Sequence, residues 1–126
     1  MTQFFRDLSE GLIFVEDIEV KLRQHIQTAF PGEQTMRTAL MAAFKQDRRD
    51  PSRPAREYEK LSFYEHIQLI TNERNWPKFR EVFEPVDLFV KLMEPVWETR
   101  NQLAHFRGRL NPIQRDALIQ ALNWLT

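Results

Sequence analysis

The sequence predicts an all-α protein, an antiparallel helical bundle of four to five helices forming a single domain over residues 1–126. Three observations carry that expectation. Apolar residues recur every three or four positions in several segments, the period of a helix with one buried face. No segment shows the sustained alternation of a half-buried strand. The helical segments are also separated by start and stop signals: Pro31-Gly32, the run Ser62-Phe63-Tyr64-Glu65, and Asn111-Pro112.

The first helix is expected from a cap at Ser9 to Phe30, with Leu12, Val15, Ile18, Leu22, Ile26 and Ala29 as its apolar stripe. Pro31-Gly32 ends it. A second helix, from Glu33 to about Gln46, places Met36, Ala39, Leu40, Ala43 and Phe44 on one face, and the tight turn makes the pair a hairpin. From Asp47 to Lys60 the apolar rhythm stops, and the segment reads as a mobile charged loop interrupted by proline. Its Arg48, Arg49, Arg53 and Arg56 suit phosphate contacts, yet a charged run is more often a solvated face, here offset by Asp47, Asp50, Glu57 and Glu59.

Ser62 and Glu65 form a capping box that starts a third helix, running to about Glu73 with Phe63, Ile67 and Ile70 inward. His66 on this helix is read as an exposed residue rather than a supporting acid. Asn75-Trp76-Pro77 opens a short helical turn. Trp76, Phe79 and Phe83 have the spacing of a base-stacking platform but are read as core. The next helix begins near Pro85 with Leu88, Phe89, Leu92, Met93, Val96, Leu103 and Ala104 inward, and Pro95 is expected to kink or break it. Gly108 suits its end. Asn111-Pro112 caps a last helix whose core face is Ile113, Ala117, Leu118, Ala121, Leu122 and Leu125.

Composition narrows the function. Charged residues at 29% and hydrophobic ones at 42% describe a globular chain, and the formal net charge is zero. A protein held to nucleic acid by overall basicity would carry a positive excess, so any nucleic-acid contact here has to be local. The absence of cysteine excludes disulfides and thiolate metal sites, and three scattered histidines offer no zinc spacing. No metal and no cofactor are therefore expected. With no membrane-length apolar run and no signal pattern, the expected location is the cytoplasm, away from any membrane.

The stretch Arg100-Asn101-Gln102-Leu103-Ala104-His105-Phe106-Arg107-Gly108 concentrates the chemistry. It brings two guanidiniums, a carboxamide and an imidazole together without an acidic side chain. On a helix Asn101 and His105 share a face, while Arg100 lies about 140° around from His105. Arg100 also continues the stripe through residues 92 and 96, so its permanent charge needs a partner: a carboxylate, a phosphate or a subunit interface.

Arg100-Asn101-x-x-x-His105, followed by Phe106-Arg107 and a final short helix, resembles the Arg-(four to six residues)-His signature of the HEPN superfamily. The upstream segment from Leu61 to Phe79 is similar as well, and the likeness runs from about residue 10 to the end, apart from residues 45–60. The resemblance implies a helical bundle that acts as a homodimer, with Arg and His of both subunits meeting at the interface. It implies a metal-independent endoribonuclease that cleaves single-stranded RNA through the 2′-hydroxyl. In that reading Arg100 and His105 are catalytic and Asn101 supports them, while Arg107, Arg109, Arg48 and Arg49 contact RNA. His105 transfers the proton, and Arg100 stabilises charge on the phosphate oxygens. A helix C-terminus favours protonated histidine, which suits an acid.

Two other readings remain open, a non-catalytic module that binds RNA or nucleotide and a dimerisation module. A purely structural motif is the alternative to all of these: Arg100 then pairs with Glu16 or Glu19, and His105 caps its own helix. The expected partners are RNA and a second copy of the chain, with room for a regulatory partner of the antitoxin kind. A chain that starts almost directly in a helix also suits the C-terminal domain of a longer protein carrying a fused effector.

Overall fold

A computed structural model describes the backbone of residues 2–104 and 110–126, with side chains from residue 10 onward. Among these residues the protein is all-helical, with six α-helices: α1 (Thr2–Ala29), α2 (Glu33–Phe44), α3 (Phe63–Thr71), α4 (Arg80–Phe83), α5 (Val86–Ala104) and α6 (Pro112–Leu125). Single 3₁₀ turns occupy Tyr58–Lys60 and Trp76–Lys78. Packing divides the chain into two compact units, residues 23–87 and residues 1–22 with 88–126. Helix α1 supplies its last turns to the first of these and its opening turns to the second.

The predicted boundaries hold where a side chain enforces them. Ser62 Oγ accepts from the Glu65 amide at 3.2 Å, and Glu65 Oε1 accepts from the Ser62 amide at 2.9 Å, completing the capping box of α3. Asn111 and Gln114 form a second box at α6, at 2.8 and 3.0 Å. Helix α3 stops at Thr71, two residues short of the expected end. There Asn72 turns its side chain to the chain ahead, accepting from the Arg74 amide at 3.0 Å, a local bond that competes with helix continuation. At the other end of the chain α1 starts at Thr2, not Ser9. No proline or glycine precedes Gly11 to stop it.

In the unit of residues 23–87 the core is aromatic. Phe79 stacks on Phe83 with ring centroids 6.0 Å apart, Phe30 meets Phe79 edge-on at 5.6 Å, and His25 meets Phe83 at 4.7 Å. Phe63, Ile67, Leu69 and Ile70 of α3 and Ala39 and Leu40 of α2 are buried with them. Phe79 and Phe83 thus belong to the core, as expected, whereas Trp76 is only half-buried. The charged connection after α2 carries its own internal bonding. An isolated antiparallel bridge joins Gln46 to Pro54, the Asp47 amide donates to Arg53 O at 2.8 Å, and the Ala55 amide donates to Lys45 O at 3.0 Å.

In the unit of residues 1–22 and 88–126, α5 and α6 run antiparallel. Gln102 meets Gln114 at 2.8 Å toward one end of the pair, and Phe89 meets Trp124 at 6.1 Å toward the other. Arg115 of α6 reaches Glu10 of α1 at 2.7 Å. Helix α5 is continuous through Pro95 and is not broken there. Its buried stripe is Phe89, Met93, Val96, Thr99 and Leu103, whereas Leu88 and Ala104 are exposed, contrary to expectation. On α6, Leu118, Ala121 and Leu125 are buried, but Ile113 is 80% exposed. In the first turn, Ile113 lies about 140° around the helix from Leu118, too far to share its face.

Candidate functional site

Arg100 sits in the last turns of α5, half-buried, with Asn101 beside it. After Val96 the helical period calls for a buried residue at 99 or 100, and the chain uses 99. Thr99 is 2% exposed. A hydroxyl can be buried with a local hydrogen bond, whereas a guanidinium that cannot lose its charge is expensive to desolvate. Arg100 therefore stands at the edge of the stripe, not on it. Its Nη1 donates to Asn101 Oδ1 at 3.5 Å, a long and weak bond that leaves the guanidinium other donors. Leu103, one turn on, is buried against Gly11 of α1.

His105, Arg107 and Arg109 lie outside the described residues. The structure brings Arg100 and Asn101 together and gives no geometry for the other half of the motif. Arg48 and Arg49 are exposed and belong to the unit of residues 23–87, not to that of Arg100. Their acidic neighbours have other work than offsetting them. Asp47 Oδ1 accepts from the Arg49 amide at 2.8 Å, and Asp50 Oδ1 accepts from the Ser52 amide and hydroxyl at 3.1 and 2.6 Å. The hydrogen bonds from Ser52 hold the Asp50 carboxyl below its ordinary range. Arg56 is committed elsewhere, its Nε donating to Glu65 Oε2 at 2.8 Å.

One constellation escaped the sequence reading. His66, expected on the surface, is fully buried at 0% exposure. Its Nδ1 lies 2.7 Å from Ser62 O, and a carbonyl oxygen only accepts, so Nδ1 carries the proton. Nε2 is then the acceptor, and Arg23 Nη1 approaches it at 3.4 Å. Arg23 also lies over the Tyr58 ring at 4.6 Å from its centroid, and Tyr58 Oη donates to Arg23 O at 3.3 Å. Burial pushes the His66 pKa down to about 4, aided by the Arg23 charge and opposed by the Ser62 carbonyl and Glu65. His66 is thus a neutral member of a buried network tying α1 to α3. The signal was its place at 66 between Phe63 and Ile70, on the inward face of the same helix.

Among the described residues no group of three or more His, Cys, Asp or Glu could hold a metal ion. No helix among them is long and apolar enough to cross a membrane. The chain has no significant match among protein-family models, curated proteins or solved structures.

Proposed function

We propose that this protein is a metal-independent endoribonuclease of the HEPN kind, cleaving single-stranded RNA at a site completed by a second copy of the chain. The observation that supports the reading is Arg100: a half-buried, permanently charged side chain that donates to a neutral carboxamide at 3.5 Å. A guanidinium with spare donors, five residues before a histidine, suits a phosphodiester that passes through a dianionic transition state. His105 acts on the proton of the 2′-hydroxyl or of the leaving 5′-oxygen, and two copies supply both a base and an acid. Asn101 steadies Arg100 from its own helix. Arg107, Arg109, Arg48 and Arg49 are the proposed RNA contacts outside the reacting phosphate, and the protein works in the cytoplasm.

The test is incubation of the purified protein with unstructured RNA in EDTA, beside His105→Ala and Arg100→Ala, with the fragment ends identified. Cleavage to 2′,3′-cyclic phosphate ends by wild type alone supports the reading, and a DNA strand of the same sequence should survive. Equal cutting by all three proteins would indicate a contaminant. No cutting by any of them would sink the nuclease and leave a dimerisation or RNA-binding module, separated by whether RNA is retained at low salt.

A further inference from the structure

A second charged feature lies in the unit of residues 23–87, independent of the Arg100 motif. A cleft of about 740 Å³ opens along α2, from Phe30 just before it to Lys45 at its end, and the segment that follows α3 forms its other side. That volume falls in the range that holds a small organic ligand. Three cationic residues line it, Lys45, Arg74 and Lys78, and none of its lining residues is acidic. In a chain with as many acidic as basic side chains, such a local imbalance is a departure from the average. Among the described residues, none of the three forms an ion pair. Apolar side chains, including Phe30 and Met41, line the same cleft.

The backbone of the cleft is held by buried amides. Asn75, 4% exposed, donates both amide hydrogens, to Ala39 O and to Leu69 O, each at 3.0 Å. Asn72 Nδ2 donates to Ala42 O at 3.1 Å, while its Oδ1 holds the Arg74 amide. The Asn75 carbonyl accepts from the Lys78 amide at 3.0 Å. The two asparagines thereby tie the segment bearing Arg74 and Lys78 to the helix that ends at Lys45.

Lys45 provides the second observation. It terminates α2 with φ 68° and ψ −172°, a backbone region populated almost only by glycine. Glycine would meet the geometry without strain, and the chain places a lysine there. Strained non-glycine residues concentrate at ligand sites, where the side chain's role outweighs its backbone cost.

We infer that this cleft is a binding site for a small phosphomonoester with an aromatic or apolar body. The phosphate meets Lys45, Arg74 and Lys78, and the body lies against Phe30 and Met41. Arg74 supplies planar bidentate donors and the lysines supply point charges, the usual division for a dianionic phosphate.

The test uses the full chain and simple probes, inorganic phosphate and phenyl phosphate, followed by calorimetry at low ionic strength. Saturable one-to-one binding of phenyl phosphate, several-fold tighter than phosphate, is expected. The double variant Arg74→Gln with Lys78→Gln should weaken it by about tenfold or more, with unchanged thermal melting. Lys45→Gly gives the sharper check, because it should weaken binding while raising the melting temperature, which loss of fold cannot imitate. Absence of saturable binding, or affinity unchanged in these variants, overturns the site. Equal affinity for the two probes overturns the role of the apolar lining. Arg100 belongs to the other packing unit, so Arg100→Ala should leave the affinity of this cleft unchanged, and a failed nuclease assay and a failed phosphate titration remain separate results.

Discussion

Leu103 occupies the space that a side chain at Gly11 would need: a Cβ built on Gly11 would fall 2.6 Å from Leu103 Cδ1 and 3.5 Å from Cδ2. The missing side chain lets α5 approach α1 closely three residues after Arg100. Glycine inside a helix costs about 1 kcal/mol against alanine, so Gly11→Ala would be stabilising on propensity alone. Here the added methyl has to push aside a side chain that is itself 2% exposed, and overpacking of that kind costs about 1–3 kcal/mol. We expect Gly11→Ala to be neutral to mildly destabilising and Gly11→Val to lose at least 2 kcal/mol, approximately. Adding Leu103→Ala to Gly11→Val should recover part of that loss, giving a double-mutant cycle with clear coupling in urea unfolding.

His66 gives the protein an acid-side weakness. Its folded pKa, about 4, lies below the ordinary 6.5 of the unfolded chain, so the unfolded state binds the proton first as pH falls. Stability contributed by the neutral ring is complete above pH 6.5, declines between 6.5 and 4, and is fully lost below. The loss amounts to about 3 kcal/mol. Glu65, whose carboxyl is held low mainly by the Ser62 amide, adds a further loss that sets in as pH falls through the ordinary carboxylate range and continues below it. Urea unfolding at pH 7 and pH 4.5 should show the decline. His66→Gln should flatten it while costing stability at pH 7, and an equal slope in that variant would count against the assignment.

Lys45→Gly should stabilise the protein by about 1 kcal/mol through relief of backbone strain, in spite of the greater freedom of glycine in the unfolded chain. Lys45→Ala, which keeps the Cβ and removes the charge, should show no such gain. Thermal melting of the two variants side by side separates backbone strain from electrostatics.

Asn75→Ala removes both hydrogen bonds that bind Ala39 O and Leu69 O, at a position where water has little access. Two carbonyls lose a donor, and the expected cost is about 2–4 kcal/mol. Ser62→Ala, which breaks only one arm of an exposed capping box, should cost about 1 kcal/mol. If the two variants unfolded at the same denaturant concentration, the joint assigned to Asn75 would not exist.

The helices were legible because their ends are written in side chains. Ser62 with Glu65, Asn111 with Pro112, and Pro31-Gly32 each state a boundary locally, and the aromatic core followed from the spacing of Phe79 and Phe83. Errors arose where a residue's face depends on a fraction of a turn. Thr99 and Arg100 compete for one buried position, and the desolvation cost of the guanidinium decides between them. His66 went wrong for the opposite reason. Its type suggested the surface, while its helix face placed it among Phe63, Ile67 and Ile70, and a carbonyl four residues back and Arg23, 43 residues away, help to make that burial tolerable. The cleft at Lys45 was out of reach of sequence, because its cations lie on segments about thirty residues apart and nothing local marks Lys45 as strained. The pairing of Arg100 with Asn101 was readable as adjacency.

The two packing units also impose an order in time. One of them is discontinuous in sequence, its first segment ending at Leu22 and its second beginning at Leu88, with the whole of the other unit between them. A ribosome therefore finishes residues 23–87 before it makes the helix that bears Arg100, and a unit folds once all of its chain is at hand. The segment bearing Arg100 is therefore the later of the two to be made, and the unit of residues 23–87 can pack while the other still lacks its second half.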